Sequence, residues 1–300
     1  MGKSHSHGAK SHGRAFAVGI GLNVSFVAVE IIYGIKAHSL ALIADAGHNL
    51  SDVLGLVLAW GATVLARRLP TARRTYGMRR SSILAALANA VLLLVAIGAI
   101  AWEAVQRLSR PAPVSAGVVV GVAAVGIGIN AATALLFWAG RKSDLNIKGA
   151  FLHMAADAAV SAGVVLAGLA IAMTGWLWLD PAISLMIVMV IFVGTWRLLG
   201  DSVNLAMDAV PEGIDPGAVQ SYLAGLPGIA EVHDLHIWGM STTEVALTAH
   251  LVKPDAKTED GFLLTTCREL HDRFGIEHAT LQIERGSGAP ACDLAPPEVV

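Results

Sequence analysis

Two pairs of residues in this 300-residue chain have the types and the spacing to hold a divalent cation. His48 and Asp52 stand four apart in the run SLALIADAGHNLSDV, and His153 and Asp157 repeat that interval in FLHMAADAAVS. Residues four apart on a helix lie one above the other on the same face. Each pair therefore offers an imidazole and a carboxylate along one stripe of an otherwise apolar segment. An ionisable group at the centre of a bilayer costs about 2.5–3.5 kcal/mol on insertion scales, so residues kept there are functional candidates. Two such faces turned toward each other present two imidazoles and two carboxylates. That set suits tetrahedral zinc, with ligand distances of about 2.0–2.2 Å.

The plainer readings are a pair of structural ion pairs, or a proton relay that holds no metal. Two identical pairs on two segments at one helical period favour the metal. The residues around them are small, including Ala44, Gly47, Ser51, Ala156 and Ser161, and small residues let membrane helices approach closely enough to share an ion. Asp45 lies on much the same face as Asp52. It either lines the approach to the site or accepts a hydrogen bond from Asn49 or a backbone group, and the sequence favours neither. Glu30, Asn89, Glu103 and Asn130 are single polar residues in apolar runs, for which hydrogen bonding between helices is the expected role.

The elements that must carry these residues are long and apolar. Hydrophobic residues make up 55% of the chain and charged residues 15%, against about 25% charged in an ordinary soluble domain. Six stretches are long enough to cross a bilayer: 15–35, 39–65, 82–106, 114–139, 149–173 and 176–199. They are separated by Pro70, by Pro111 and Pro113, by the Arg141–Asp144 cluster and by Gly175. An even number of spans puts both termini on one side. That side carries Arg67, Arg68, Arg73, Arg74, Arg79, Arg80, Arg141, Lys142 and Lys148, whereas the other offers only Lys36, Arg107 and Arg110. The positive-inside rule then makes both termini cytoplasmic. A net charge of −2 argues against a nucleic-acid partner. Cys267 and Cys292 are too few for a disulfide framework or a cysteine zinc site. The first fourteen residues are polar, with His5, His7 and His12, and lack the apolar stretch of a signal peptide.

Past about residue 200 the pattern changes to that of a small cytoplasmic α/β domain. Asp215-Pro216 reads as a helix N-cap followed by proline at the first helical position. Residues 231–238, 244–252 and 279–284 read as strands, and Leu263, Cys267, Leu270 and Phe274 as the apolar stripe of a helix. The chain thus divides into a histidine-rich tail (1–14), a six-helix membrane domain (15–200) and a soluble domain (201–300), which ends in a loose proline-containing tail.

Five runs, HSLALIADAGHNLSD, YGMRRSSILAALANAVLLL, HMAAD, AMDAVPEGI and VHDLHIW, together resemble the cation diffusion facilitator family of zinc transporters along nearly the whole chain. The resemblance implies a homodimer that exports Zn²⁺ against an inward flow of protons, with Cd²⁺ and Co²⁺ as further cargo to test. It assigns His48, Asp52, His153 and Asp157 as transport ligands, and a histidine at position 48 is similar to zinc-selective members. It places a charge interlock at Arg80 and Asp208. The soluble part becomes a ferredoxin-like, metallochaperone-like domain for dimerisation and metal sensing, with ligands at His233, His250, His278 and Glu284; Asp234 and His236 do not match the family's ligand positions. The RRLPTARRTYG loop lacks the Asp/His site of some bacterial relatives. The short AGRKSDLNIKG loop lacks the histidine-rich insert of many eukaryotic ones, which implies a bacterial inner-membrane protein. The histidines of the amino-terminal tail are left to collect metal weakly.

The mechanism expected is alternating access. Metal binding needs neutral imidazole and ionised carboxylate, so it releases protons, and histidines, which titrate near neutrality, are the natural proton carriers. A membrane metallohydrolase would need a general base such as the Glu of His-Glu-x-x-His, which is missing from the sequence, so the chain is expected not to be an enzyme. A membrane-anchored sensor would not need titratable ligands on two spans. A carrier of organic solutes would need a larger cavity than alanine-rich faces leave.

Overall fold

The computed structural model describes residues 9–66, 68–138, 145–254 and 260–285. Six long helices occupy the places of the six apolar stretches: α1 (Ala9–Ala37), α2 (Leu40–Ala66), α3 (Ser81–Ser109), α4 (Ala116–Phe137), α5 (Leu145–Thr174) and α6 (Leu179–Ala206). Their ends run past the apolar limits. Helix α1 begins at Ala9, inside the segment expected to be a tail, and α6 continues to Ala206. Hydropathy marks only the apolar part of a helix, and the backbone continues until a breaker stops it. Gly175, at φ 72°, is one such stop after α5. The backbone divides into two compact units within α2, α3 and α6. One runs up to Val57 and includes Asn89–Arg197; the other joins Leu58–Ala88 to the chain from Leu198 onward.

In the first unit the core is built from small and β-branched residues, among them Ala41, Ala44, Val119, Ala123, Val164 and Ile187. Two glycines set how closely its helices approach. A Cβ at Gly126 of α4 would lie 2.6 Å from the Phe26 ring of α1, and one at Gly168 of α5 would lie 2.8 Å from Val120 of α4. No larger residue fits either contact without a shift. The start of α2 is capped from a distant part of the chain. Asp180, at the first turn of α6, accepts hydrogen bonds from the Leu40 and Ala41 amides at 2.7 and 3.3 Å and from the Ser39 hydroxyl. Ser39 Oγ in turn accepts from the Leu42 amide at 3.2 Å. These contacts satisfy amides that a helix start leaves without partners.

Among the described residues, four helical segments are long and apolar enough to cross a membrane: Ser81–Ser109, Ala116–Leu135, Phe151–Thr174 and Leu179–Ala206. Their large apolar side chains point outward as well as inward, with Leu92, Val95, Trp102, Leu166 and Val193 all exposed. An apolar surface of that extent marks a membrane or another protein as its surroundings.

The second unit carries α7 (Pro216–Ala224), β1 (Glu231–Gly239), β2 (Val245–Val252), α8 (Asp260–Phe274) and β3 (His278–Glu284). Asp215 caps α7 through the Gly217 amide, with Pro216 in the first turn, as its sequence indicates. The sheet order is β1-β2-β3, antiparallel then parallel, with α8 in the crossover that a parallel pair requires. Ile237, Leu247, Ala249 and Leu251 pack one face of the sheet against Val219, Leu223 and Leu270 of the two helices. A ferredoxin-like unit runs β-α-β-β-α-β. The described sheet has three strands, which is that pattern without its first strand. The β1–β2 turn is held to the start of α3, where Glu244 pairs with Arg79 at 2.9 Å and the Thr242 amide donates to Ser82 Oγ at 3.1 Å.

Candidate metal centres

Within the first unit, α2 and α5 bring three of the four residues of the paired motifs together. His48 Nε2 lies 3.2 Å from Asp157 Oδ1, and His153 Nε2 lies 3.7 Å from Asp157 Oδ2. The two imidazoles stand edge to face with centroids 6.3 Å apart. Asp157 is buried, and its Oδ2 has no hydrogen-bond partner among the described residues. A buried carboxylate oxygen without a partner is costly unless a cation or a proton satisfies it. The Asp52 side chain lies outside the described residues; its backbone belongs to α2, one turn beyond His48.

Buried polar groups flank this trio. Asp45 accepts a hydrogen bond from Ser161 at 3.0 Å, and Asn49 donates to Glu30 at 3.1 Å. The Asp45 partner thus comes from α5 rather than from Asn49, and Glu30 makes the interhelical bond expected of it. Glu103 differs, since it pairs within its own helix with Arg107 at 2.9 Å. Asn130 differs too: it is fully buried, and neither of its amide atoms has a hydrogen-bond partner among the described residues.

The second unit holds another cluster. His233 Nε2 lies 3.4 Å from Glu284 Oε2, His250 Nδ1 lies 3.1 Å from Glu284 Oε1, and the two rings are 5.3 Å apart. Ligand atoms of these three residues all fall within 4.8 Å of one another. His233 is buried, and neither ring nitrogen has a hydrogen-bond partner among the described residues. Two imidazoles and a carboxylate make a donor set suited to zinc, with a fourth position left open.

His278 does not join this group. It begins β3 opposite Ala246, whereas Glu284 ends that strand opposite Val252. Six residues of strand span about 20 Å, and the His278 ring instead meets Tyr76 edge to face at 5.7 Å. Within this chain His278 therefore stands apart from the other three residues.

Asp234 and His236 belong closer to the cluster than their sequence positions indicate. A bulge interrupts the β1 register between His233 and His236, and Asp234 sits in it at φ 51°. Residues three apart would point to opposite faces of a regular strand, but one extra residue returns them to the same face. Val232 and Leu235 then both pack toward the core, and the two histidines share the outer face. Asp234 Oδ1 meets His236 Nε2 at 2.8 Å, and its Oδ2 lies 3.4 Å from His250 Nε2. The signal legible in the sequence was a period of three in Val-His-Asp-Leu-His-Ile where a strand has a period of two.

Arg80 and Asp208 form an ion pair within the second unit. His5 and His7 lie outside the described residues, as does the side chain of His12.

A family model for the cation efflux transmembrane domain matches residues 16–205, and a model for the cation efflux protein cytoplasmic domain matches residues 211–286. The chain is 35% identical to the metal cation efflux system protein CzcD of Cupriavidus metallidurans, over 95% of this chain and 90% of that protein. It is 34% identical to zinc transporter ZitB of Escherichia coli, over 98% and 96%. It is 33% identical to a cadmium, cobalt and zinc/H(+)-K(+) antiporter of Bacillus subtilis, over 95% and 92%. A solved metal-bound C-terminal domain of the Cupriavidus CzcD transporter is 33% identical, covering 24% of this chain and 99% of that one, with a TM-score of 0.22. Four apolar helices and the membrane-domain match make the chain a multi-pass membrane protein. The chain belongs to the cation diffusion facilitator family, the metal-cation transporters that its two His-x-x-x-Asp motifs resemble.

Proposed function

We propose that the chain is a homodimeric antiporter that exports Zn²⁺ from the cytoplasm in exchange for protons, by alternating access. The observation that carries this reading is the convergence of His48 and His153 on the buried Asp157 carboxylate, one oxygen of which has no hydrogen-bond partner among the described residues. A divalent cation at that oxygen would satisfy it and draw the two imidazoles inward. Asp52, one turn along α2, is the fourth ligand in this reading. Zinc takes neutral imidazole and ionised carboxylate, so loading from the cytoplasm releases protons and protonation on the far side expels the ion. The zinc, cadmium and cobalt named for the relatives set the range of cargo to test.

In the same reading α1 and α2, at 29 and 27 residues, are also membrane spans, since a helix of that length reaches about 40 Å. Both termini then face the cytoplasm of a bacterial inner membrane. The chain from about residue 201 is the dimerisation and metal-sensing domain, in which His233, His250 and Glu284 bind zinc as it accumulates. The Arg80–Asp208 pair is the charge interlock, and His5, His7 and His12 collect zinc weakly.

The test is zinc flux into proteoliposomes recorded together with internal pH, for the wild type and Asp157→Ala. Zinc and protons moving in opposite directions, both lost in the variant, is the expected result. Flux that survives in Asp157→Ala would make the paired motifs structural and end this reading.

A further inference from the structure

The cytoplasmic cluster contains one carboxylate that its three ligating residues leave unassigned. His250 presents its two ring nitrogens to different acidic groups. Nδ1 faces Glu284 at 3.1 Å, on the side where the His233 ring also lies, and Nε2 faces Asp234 at 3.4 Å. The two nitrogens of an imidazole point away from each other, so an ion held among His233, His250 Nδ1 and Glu284 is out of reach of Asp234. Asp234 stands behind the ligand, where it can accept a hydrogen from Nε2. A ligating histidine characteristically donates its second N–H to a carboxylate, which fixes the tautomer and the ring orientation.

The setting supports that role. The Asp234 and His250 side chains are only 12% and 13% exposed, so water competes weakly for the contact. The other Asp234 oxygen is held by His236 Nε2 at 2.8 Å, which fixes the carboxylate from its far side. The backbone at Asp234 adopts φ 51° in the β1 bulge. That conformation is uncommon outside glycine, asparagine and aspartate, and strained backbone at a cluster of this kind is an observation that points to function.

We infer that Asp234 is the positioning residue of the cytoplasmic metal site: it holds His250 with hydrogen on Nε2, so that Nδ1 presents its lone pair to the ion. This rests on the proposal that His233, His250 and Glu284 bind zinc. His236 supports the carboxylate and does not ligate.

The test uses the full-length protein in lipid nanodiscs, titrated with zinc against a chelating dye. The cytoplasmic site is the zinc lost on His250→Ala. Asp234→Asn and Asp234→Gly both tolerate the left-handed backbone, so they keep the bulge and remove the charged acceptor. Each is expected to weaken that zinc about 10- to 100-fold, the usual effect of losing a partner behind a ligand. If both bind zinc as the wild type does while His250→Ala abolishes the site, the inference falls and the metal reading stands. If His250→Ala itself costs no zinc, the metal reading falls and the inference with it. A second measurement needs no variant at Asp234. In zinc-loaded wild type with ¹⁵N-labelled histidine, the His250 signal, identified by its loss in His250→Ala, should show hydrogen on Nε2 and none on Nδ1. Hydrogen on Nδ1 with Nε2 bare would overturn the inference.

Discussion

The Arg80 and Asp208 side chains meet while about half exposed, at 55% and 50%. Water and salt screen such a pair, so its contribution to stability is on the order of 0.2–1 kcal/mol. Any larger effect of breaking it has to come from what the contact positions. Asp208 adopts φ 59°, a conformation that asparagine tolerates as aspartate does, so Asp208→Asn removes the charge and spares the backbone. We expect it to lower zinc flux several-fold while moving the unfolding free energy by less than about 1 kcal/mol. Flux and thermal melting of the same preparation check this, and unchanged flux would reduce the pair to an ordinary surface contact. At this scale the sequence named His48, His153 and Asp157 because charge in an apolar run is conspicuous. It passed over Asp234, whose proposed role depends on a bulge, and it gave His278 only through the family resemblance, whereas β3 sets His278 at the opposite end of the strand from Glu284.

Close helix contacts govern the next scale. Glycine 126 lets α4 lie against the Phe26 ring of α1, and a Cβ there would also come within 3.3 Å of Ser161 Oγ, the hydroxyl that holds Asp45. Gly126→Leu should therefore cost about 1–3 kcal/mol by overpacking, read as a lower melting temperature in detergent together with reduced flux. Gly128→Leu is the control, because a Cβ at that position meets nothing within 4 Å. The six long helices, the α7 cap and the three strands were all legible, since apolar length, Asp-Pro and alternation are local signals. Helix ends were less so, because a helix continues into polar sequence until something breaks it. The capping of α2 by Asp180 and the burial of Asn130 without a hydrogen-bond partner among the described residues were not legible at all. Each depends on which parts of the chain meet in space, and a single sequence does not state that.

For the whole molecule the consequential property is sidedness. In the six-span reading the loops on the side of the termini carry most of the basic residues, so reporter fusions at the carboxyl terminus and after Arg80 should both report a cytoplasmic location, and a fusion after Arg110 the opposite. A fusion after Arg110 that reports cytoplasm would remove the six-span reading.

The cap on α2 also has a consequence in time. Asp180 lies 140 residues beyond the Leu40 amide that it accepts from. At about 5–20 residues per second of synthesis, a nascent chain takes roughly 7–28 s to make that stretch. Through that interval the helix bearing His48 and Asp52 exists without the group that finishes its first turn. That helix is therefore among the first parts of the protein to be made and, at its start, among the last to be completed.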